Sequence, residues 1–161
     1  MNAGPPPELR EALAGRPSVG EWDAMFPFLT VDAAGFPHVC LLSRSELAVD
    51  DEHVYAVLAS RTTIGNVRRD RRATLVAVGP DAAAYAKLTV AEFVADGSWL
   101  GVVCAVDSTK RDTLGIPLQP PRYLPTSGLA AAEDWDRAAR LLARLVRPSP
   151  PPTRPARSPG G

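Results

Sequence analysis

Short apolar runs separated by turn residues fill the middle of the chain. Short apolar runs bounded by turn residues are the pattern of β-strands. The predicted strands cover residues 28–31, 38–42 with a continuation toward 49, 53–58, 73–78, 84–94 and 99–106. Asp, Gly and Pro residues at 32–37, 50–52 and 96–98 are typical of the turns that join antiparallel strands. The pattern therefore predicts six antiparallel strands.

The six predicted strands are long enough to form a split β-barrel. Such a sheet curls until its edges meet, because closure removes the unpaired edges that invite aggregation. One helix follows the third strand: Ser60 is a favourable N-cap, and Ile64 and Val67 lie three residues apart on one face. We expect a mainly β (α+β) fold with short flanking helices and a C-terminal helix.

The flanking segments carry helical periodicity. Leu9 and Leu13 share a face of a short N-terminal helix that ends near Gly15, and a further helical turn is expected at 19–25. Residues 107–129 contain four prolines and are expected to be irregular. Three- and four-residue spacing predicts a C-terminal helix with one apolar stripe, formed by Trp135, Ala138, Ala139, Leu142, Leu145 and Val146. This stripe packs on its own barrel or on a second subunit.

Composition and charge restrict the classes of function. A chain of 161 residues with no net charge favours one domain and lacks the field that attracts nucleic acid. No apolar stretch is long enough for a membrane span, and no signal peptide is indicated, so we expect a cytoplasmic protein. The spacing of Cys40, Cys104 and the two histidines matches no metal site, and the thiols are expected to be buried and free.

The proposed domain covers residues 1–147. Residues 148–161 are mostly Pro, Ser, Arg and Gly and have almost nothing apolar to bury. Such a composition predicts a disordered proline-rich tail, because burial cannot offset the entropy of ordering.

The most informative segment is the junction between the third strand and the inserted helix. Ser60, Arg61, Thr62 and Thr63 place three hydroxyls and one guanidinium where a helix offers unpaired N–H groups and a partial positive charge. That combination suits a phosphate. An ordinary N-cap followed by a solvated arginine is the alternative interpretation.

These motifs resemble the pyridoxamine 5′-phosphate oxidase family. The similarity spans roughly residues 26–106, and is closest to small members of that family rather than to the vitamin B6 enzyme itself. The matching segments are 28–31, the turn and strand start at 32–38, and the later segments 60–63, 66–70 and 73–75.

The resemblance implies a split-barrel homodimer with FMN between its subunits. Ser60, Arg61, Thr62 and Thr63 would then contact the phosphate. His38, Ser43, Tyr55 and Ala56 would lie near the rest of the flavin, and Lys87 is a further candidate for the phosphate. For Lys87 a solvent-facing role on its strand is the alternative.

The sequence also departs from the family. Many members carry a lysine near Thr62 or Thr63, and the C-terminal segment that binds substrate in the vitamin B6 enzymes has no match here. We therefore expect an FMN-dependent oxidoreductase with an unidentified small-molecule substrate and no assigned catalytic residue. A deazaflavin-dependent reductase and a non-catalytic, stress-linked flavin-binding protein are the alternatives.

Overall fold

The computed structural model describes residues 4–113 and 115–146, so the predicted tail at 148–161 lies outside the described residues. The helices are α1 (Pro7–Leu13), α2 (Arg61–Asp70), α3 (Ser127–Ala132) and α4 (Trp135–Leu145). The strands are β1 (Asp23–Ala24), β2 (Phe26–Val31), β3 (Pro37–Leu42), β4 (Leu47–Val49), β5 (His53–Leu58), β6 (Arg72–Val78), β7 (Ala83–Asp96), β8 (Trp99–Asp112) and β9 (Arg122–Tyr123). No described helix is both long and apolar enough to cross a membrane.

Seven strands form one curled antiparallel sheet in the order β3-β2-β6-β7-β8-β5-β4. Its two outer strands, β3 and β4, are consecutive in the chain and are joined by the short turn 43–46. This arrangement confirms the mainly β, split-barrel architecture. The strand count is seven because the run predicted from residue 38 toward 49 breaks at Ser43, where the Glu46 carboxylate accepts a hydrogen bond from the Ser43 N–H (2.8 Å).

The interior of the curled sheet is filled by alternate residues of each strand. In β2, Phe26, Phe28 and Thr30 are buried, while Pro27 and Leu29 lie on the outer face. Leu9 and Leu13 of α1 join the same core, as their shared helical face predicts. Alternation along the strands therefore determines which face of the sheet is inside.

Helix α4 covers the outer face of β5 and β8 with its apolar stripe. Ala138, Leu141, Leu142 and Leu145 pack against Tyr55, Val57 and Val103 in a second buried cluster. The helix therefore packs on its own barrel. Outside the cluster, the Arg137 guanidinium lies 4.2 Å from the centre of the Trp99 ring and donates to the Asp96 carboxylate at 2.8 Å.

Two sequence expectations fail in segments whose structure depends on distant partners. The helical turn expected at 19–25 is wrong, because Asp23 and Ala24 form β1 and pair with β9. The Met25 N–H donates to the Pro121 carbonyl at 2.7 Å, so this N–H is hydrogen-bonded to the proline-rich segment and not within a helical turn. The segment 107–129 is not uniformly irregular, since it contains the end of β8, then β9 and the start of α3.

Replacing Leu141 with Ala tests whether α4 is an integral part of the domain. Leu141 is 1% exposed, so Leu141→Ala is expected to lower the free energy of unfolding by about 3 kcal/mol through lost burial and a residual cavity. Urea unfolding measures the loss, with the exposed Arg144→Ala on the same helix as the control, expected to change stability by less than ~0.5 kcal/mol. If the loss of unfolding free energy disappears when the protein is diluted, the residues that pack against α4 belong to another chain.

Candidate functional site

Helix α2 begins with two backbone N–H groups that have no partner among the described residues. Ser60 is the N-cap: its hydroxyl accepts from the Thr63 N–H at 3.3 Å, and its carbonyl accepts from the Ile64 N–H at 2.9 Å. The N–H groups of Arg61 and Thr62 donate no hydrogen bond to another described residue, as is normal in the first turn of a helix. The start of α2 thus retains two donors at the positive end of the helix dipole.

The buried face of α2 is attached to the β2–β3 hairpin by polar contacts. Thr63 is fully buried and its hydroxyl lies 3.2 Å from His38 Nε2. One turn later, the Asn66 side-chain amide donates to the Thr30 hydroxyl at 2.9 Å. Thr30 and His38 are directly opposite each other in β2 and β3. The side chains of His38 and Thr63 therefore position the helix.

Cys40 lies on the same face of β3 as His38, two residues further along. Its side chain contacts that of Thr63 through a hydrogen bond, and burial raises the pKa of its thiol. The thiol therefore remains protonated near neutral pH and adds to the packing under α2. The sequence predicts a free, buried thiol at this position; Cys40 is free but only half-buried, whereas Cys104 is free and fully buried.

Arg61 and Thr62 are the side chains at the start of α2 that face outward. Both are exposed, and the Arg61 guanidinium makes no hydrogen bond or ion pair with another described residue. Together with the two free N–H groups, a guanidinium and a hydroxyl provide donors of the kind that bind a phosphate. Of the four predicted phosphate contacts, the structure leaves Arg61 and Thr62 free, while Ser60 and Thr63 have structural partners.

Tyr55 and Ala56 lie before this junction but their side chains are buried elsewhere. Ala56 is in the barrel core, whereas Tyr55 packs under α4 and donates its hydroxyl to Asp50. The backbone of both residues pairs with β4 on one side and β8 on the other. The structure therefore does not bring these two side chains to the start of α2.

Ser43 belongs to a buried polar cluster in the turn that joins the two edges of the sheet. Its hydroxyl lies 2.5 Å from the Ser45 hydroxyl and 3.2 Å from the Glu46 carboxylate. Burial raises the pKa of Glu46 to about 7, and the nearby charge of Glu133 adds to the shift. The hydroxyl of Tyr123 is buried beside this turn, and burial raises its pKa as well.

Lys87 is placed far from the start of α2 within one protomer. It lies on the outer face of β7 and lines an open cavity of about 790 Å³ with Arg69 and Asp70, at the other end of α2. A helix of ten residues is about 15 Å long. Within a single chain, the structure therefore separates Lys87 from Arg61 and Thr62.

Comparisons with known proteins support the fold. No protein-family model matches the sequence, and no curated protein matches it significantly. Solved structures with a similar fold include a protein named F420 reductase, with a TM-score of 0.52, 16% identity, and coverage of 65% of this chain and 98% of that one. A pyridoxamine 5′-phosphate oxidase-like protein of Lactobacillus delbrueckii has a TM-score of 0.52 and 16% identity, covering 68% of this chain and 99% of that one.

A third structure with a similar fold is that of a nitrilotriacetate monooxygenase component B protein from Mycobacterium thermoresistibile. It has a TM-score of 0.50 and 12% identity, and the match covers 65% of this chain and 77% of that one. These similarities confirm the split-barrel resemblance that the sequence motifs indicate. At such low identity they establish the fold alone.

Glu46 makes a specific contribution to the pH dependence of stability. Because its pKa rises from 4.5 to about 7 on folding, the folded protein keeps a proton that the unfolded chain has released, and stability falls as pH rises across that window. Glu46→Gln keeps an acceptor for the Ser43 N–H without the buried charge. It is expected to raise stability at pH 8 by about 2 kcal/mol.

The measurement is the urea midpoint of Glu46→Gln and of the parent protein at pH 5 and pH 8. The gain should be large at pH 8 and small at pH 5. The exposed Glu11→Gln on α1 is the matched control, expected to leave both midpoints unchanged. A Gln variant that is less stable than the parent at pH 8 would show that the Glu46 carboxylate stabilises the turn.

Proposed function

We propose that this protein binds FMN with its phosphate at the start of α2 and acts as a flavin-dependent oxidoreductase on a small molecule. The observation that carries the proposal is the set of free donors there: the N–H groups of Arg61 and Thr62 and the Arg61 guanidinium. The fold shared with flavin-family split barrels supports it. So does the resemblance of residues 26–106 to the pyridoxamine 5′-phosphate oxidase family.

The residues of the chain suit the anionic end of such a cofactor. A phosphate at the start of α2 accepts from two backbone N–H groups without displacing the Ser60 cap. The Arg61 guanidinium adds a charge-assisted hydrogen bond, which is stronger than a bond between neutral groups. Thr63 and His38 stay in place and keep the helix fixed. When bound, the flavin ring supplies the hydride or electron transfer.

A deazaflavin is the second candidate cofactor for the same site. The similarity to the structure named F420 reductase favours it. The absence of a lysine between Ser60 and Asn66 also separates this chain from many FMN-binding members of the resembled family. Fluorescence titration with F420 in parallel with FMN separates the two, since only the true cofactor should bind at micromolar concentration.

The proposal includes a homodimer in which the outer face of β2 and β3 is covered by a second copy. Val31, Val39 and Leu41 lie on or near this face and are each about half exposed (48%, 54% and 49%). Adjacent exposed apolar side chains on two paired strands are typical of an interaction surface. A second copy supplies the same apolar face and covers both by twofold symmetry.

Loss of the Arg61 charge should weaken FMN binding but not riboflavin binding, because riboflavin lacks the phosphate. Arg61→Gln is expected to raise the Kd for FMN about 10-fold, the loss of one charged hydrogen bond. Quenching of flavin fluorescence measures both ligands, and the exposed Arg140→Gln on α4 is the control. The proposal is wrong if the parent protein binds neither flavin, or binds both with equal affinity.

Introducing a charge into the apolar face should prevent dimerisation. The chain of 17.1 kDa should elute as a dimer of about 34 kDa, and Val39→Glu as a monomer, because dimerisation would bury an unpaired carboxylate. Light scattering during size-exclusion chromatography measures both masses. Val19→Glu, which changes an equally exposed valine outside β2 and β3, should remain a dimer. A dimeric Val39→Glu would place the interface elsewhere.

A further inference from the structure

We propose that a cavity at the α1 end of the barrel binds a small primary amine with an apolar body. The cavity has a volume of about 510 Å³, which is within the range of small-molecule sites. It lies between α1, the turn that joins β6 to β7, the end of β8 and the proline-rich segment before β9. The proposed phosphate site contributes no residue to its lining. The cavity is therefore a second site, whatever occupies the first.

The cavity and the start of α2 lie at opposite ends of β2. Phe26, the first residue of β2, lines the cavity. Thr30, four residues later, accepts a hydrogen bond from Asn66 of α2. Its cross-strand partner, His38, contacts Thr63 in the first turn of that helix. Four strand residues span about 13 Å. A ligand in the cavity therefore leaves the start of α2 free.

The inner walls of the cavity are apolar. Phe26 and Ala77 belong to the barrel core and are buried (2% and 3% exposed). Ala12 and Ala24 are partly buried against the same core, and their side chains are too small to fill the space. Such walls favour a ligand with an apolar body, because moving apolar surface out of water is favourable.

A hydrogen bond and an ion pair hold the walls of the cavity together. The Leu118 N–H donates to the Pro80 carbonyl at 2.9 Å, which attaches the proline-rich segment to the turn between β6 and β7. Glu8 of α1 pairs with Arg111 of β8 at 3.0 Å. All four residues line the cavity. Because its walls are connected in this way, the cavity is formed before a ligand binds, as is usual for small-molecule sites.

The charges on the cavity lining favour a cation. Arg111 is the one cation among the described lining residues, and Glu8 already pairs with it. Two further carboxylates line the cavity, Glu11 on α1 and Asp81 in the turn between β6 and β7. Neither forms a hydrogen bond or ion pair with another described residue. An ammonium group can pair with these carboxylates while an apolar body fills the space between the inner walls.

Naphthalene compounds of similar size and different charge provide the first test. The amine 2-naphthylmethylamine, the neutral 2-naphthylmethanol and the anion 2-naphthoate are each titrated into ¹⁵N-labelled protein. The amine should bind with a sub-millimolar Kd, about 10-fold more tightly than the alcohol, and should shift the amide signals of Ala12, Gly79 and Asp81. The anion should not bind. No saturable binding of the amine up to about 1 mM, or equal affinity for the amine and the alcohol, would overturn the proposal.

Substitutions in the cavity separate the contribution of charge from that of shape. Glu11→Gln and Asp81→Asn should each raise the Kd for the amine about 3-fold, and the double variant about 10-fold, without weakening the alcohol. Glu21→Gln removes an exposed carboxylate outside the cavity and should bind the amine like the parent.

Ala12→Leu places a larger side chain in the cavity and should abolish binding of both the amine and the alcohol, while thermal unfolding shows that the variant is folded. Ala131→Leu, at an exposed position on α3, is the matched control and should bind both compounds like the parent. Unchanged affinity for the amine in the double variant Glu11→Gln and Asp81→Asn, or in folded Ala12→Leu, would overturn the proposal.

Discussion

The attachment of α2 to the end of the β2–β3 hairpin is the constraint on which the candidate site depends. Two polar contacts on the buried face of α2, Thr63 to His38 and Asn66 to Thr30, fix the helix relative to two paired strands. Buried polar groups are costly when unpaired, so these contacts favour one orientation of the helix over others. As a result, the first N–H groups of α2 hold a defined position at the end of the barrel.

The rest of the fold supports this position by closing the sheet and covering its faces. The buried turn 43–46 joins the two edge strands, and the β7–β8 hairpin is attached to α4 through Arg137, Asp96 and Trp99. Helix α4 covers β5 and β8, whereas the outer face of β2 and β3 has no covering element among the described residues. The uncovered outer face and the start of α2 lie on opposite faces of the same strand, β3, and our proposal places the second subunit and the cofactor next to this strand.

The parts of the structure that depend on neighbouring residues were predictable from the sequence. Strand β5, the Ser60 cap and helix α4 follow from a short apolar run bounded by turn residues, from capping chemistry and from helical spacing, all of which act over a few residues. The helical turn expected at 19–25 fails because its backbone pairs with residues nearly one hundred positions later. Local preference could not reveal such a partner.

In the candidate site, too, the features that depend on neighbouring residues were predictable and those that depend on distant residues were not. Arg61 and Thr62 were predicted as phosphate contacts and are free, but the structural role of His38 became visible only when β3 and α2 were brought together. Glu46 was missed because a glutamate in a polar stretch resembles a surface residue, and its raised pKa reflects burial in the fold together with the charge of Glu133, far along the chain. The position of Lys87 relative to α2 could be predicted only from the order of the strands in the sheet, and the periodicity of the sequence does not give that order.

Amide chemical shifts show most directly whether the start of α2 holds a cofactor phosphate. A hydrogen bond from a backbone N–H to a phosphate oxygen shifts the amide proton downfield. Titration of ¹⁵N-labelled protein with FMN should give the largest downfield shifts at Arg61 and Thr62, and riboflavin should not produce them. Saturable FMN binding with unchanged Arg61 and Thr62 amides, and the largest shifts elsewhere in the chain, would contradict the account.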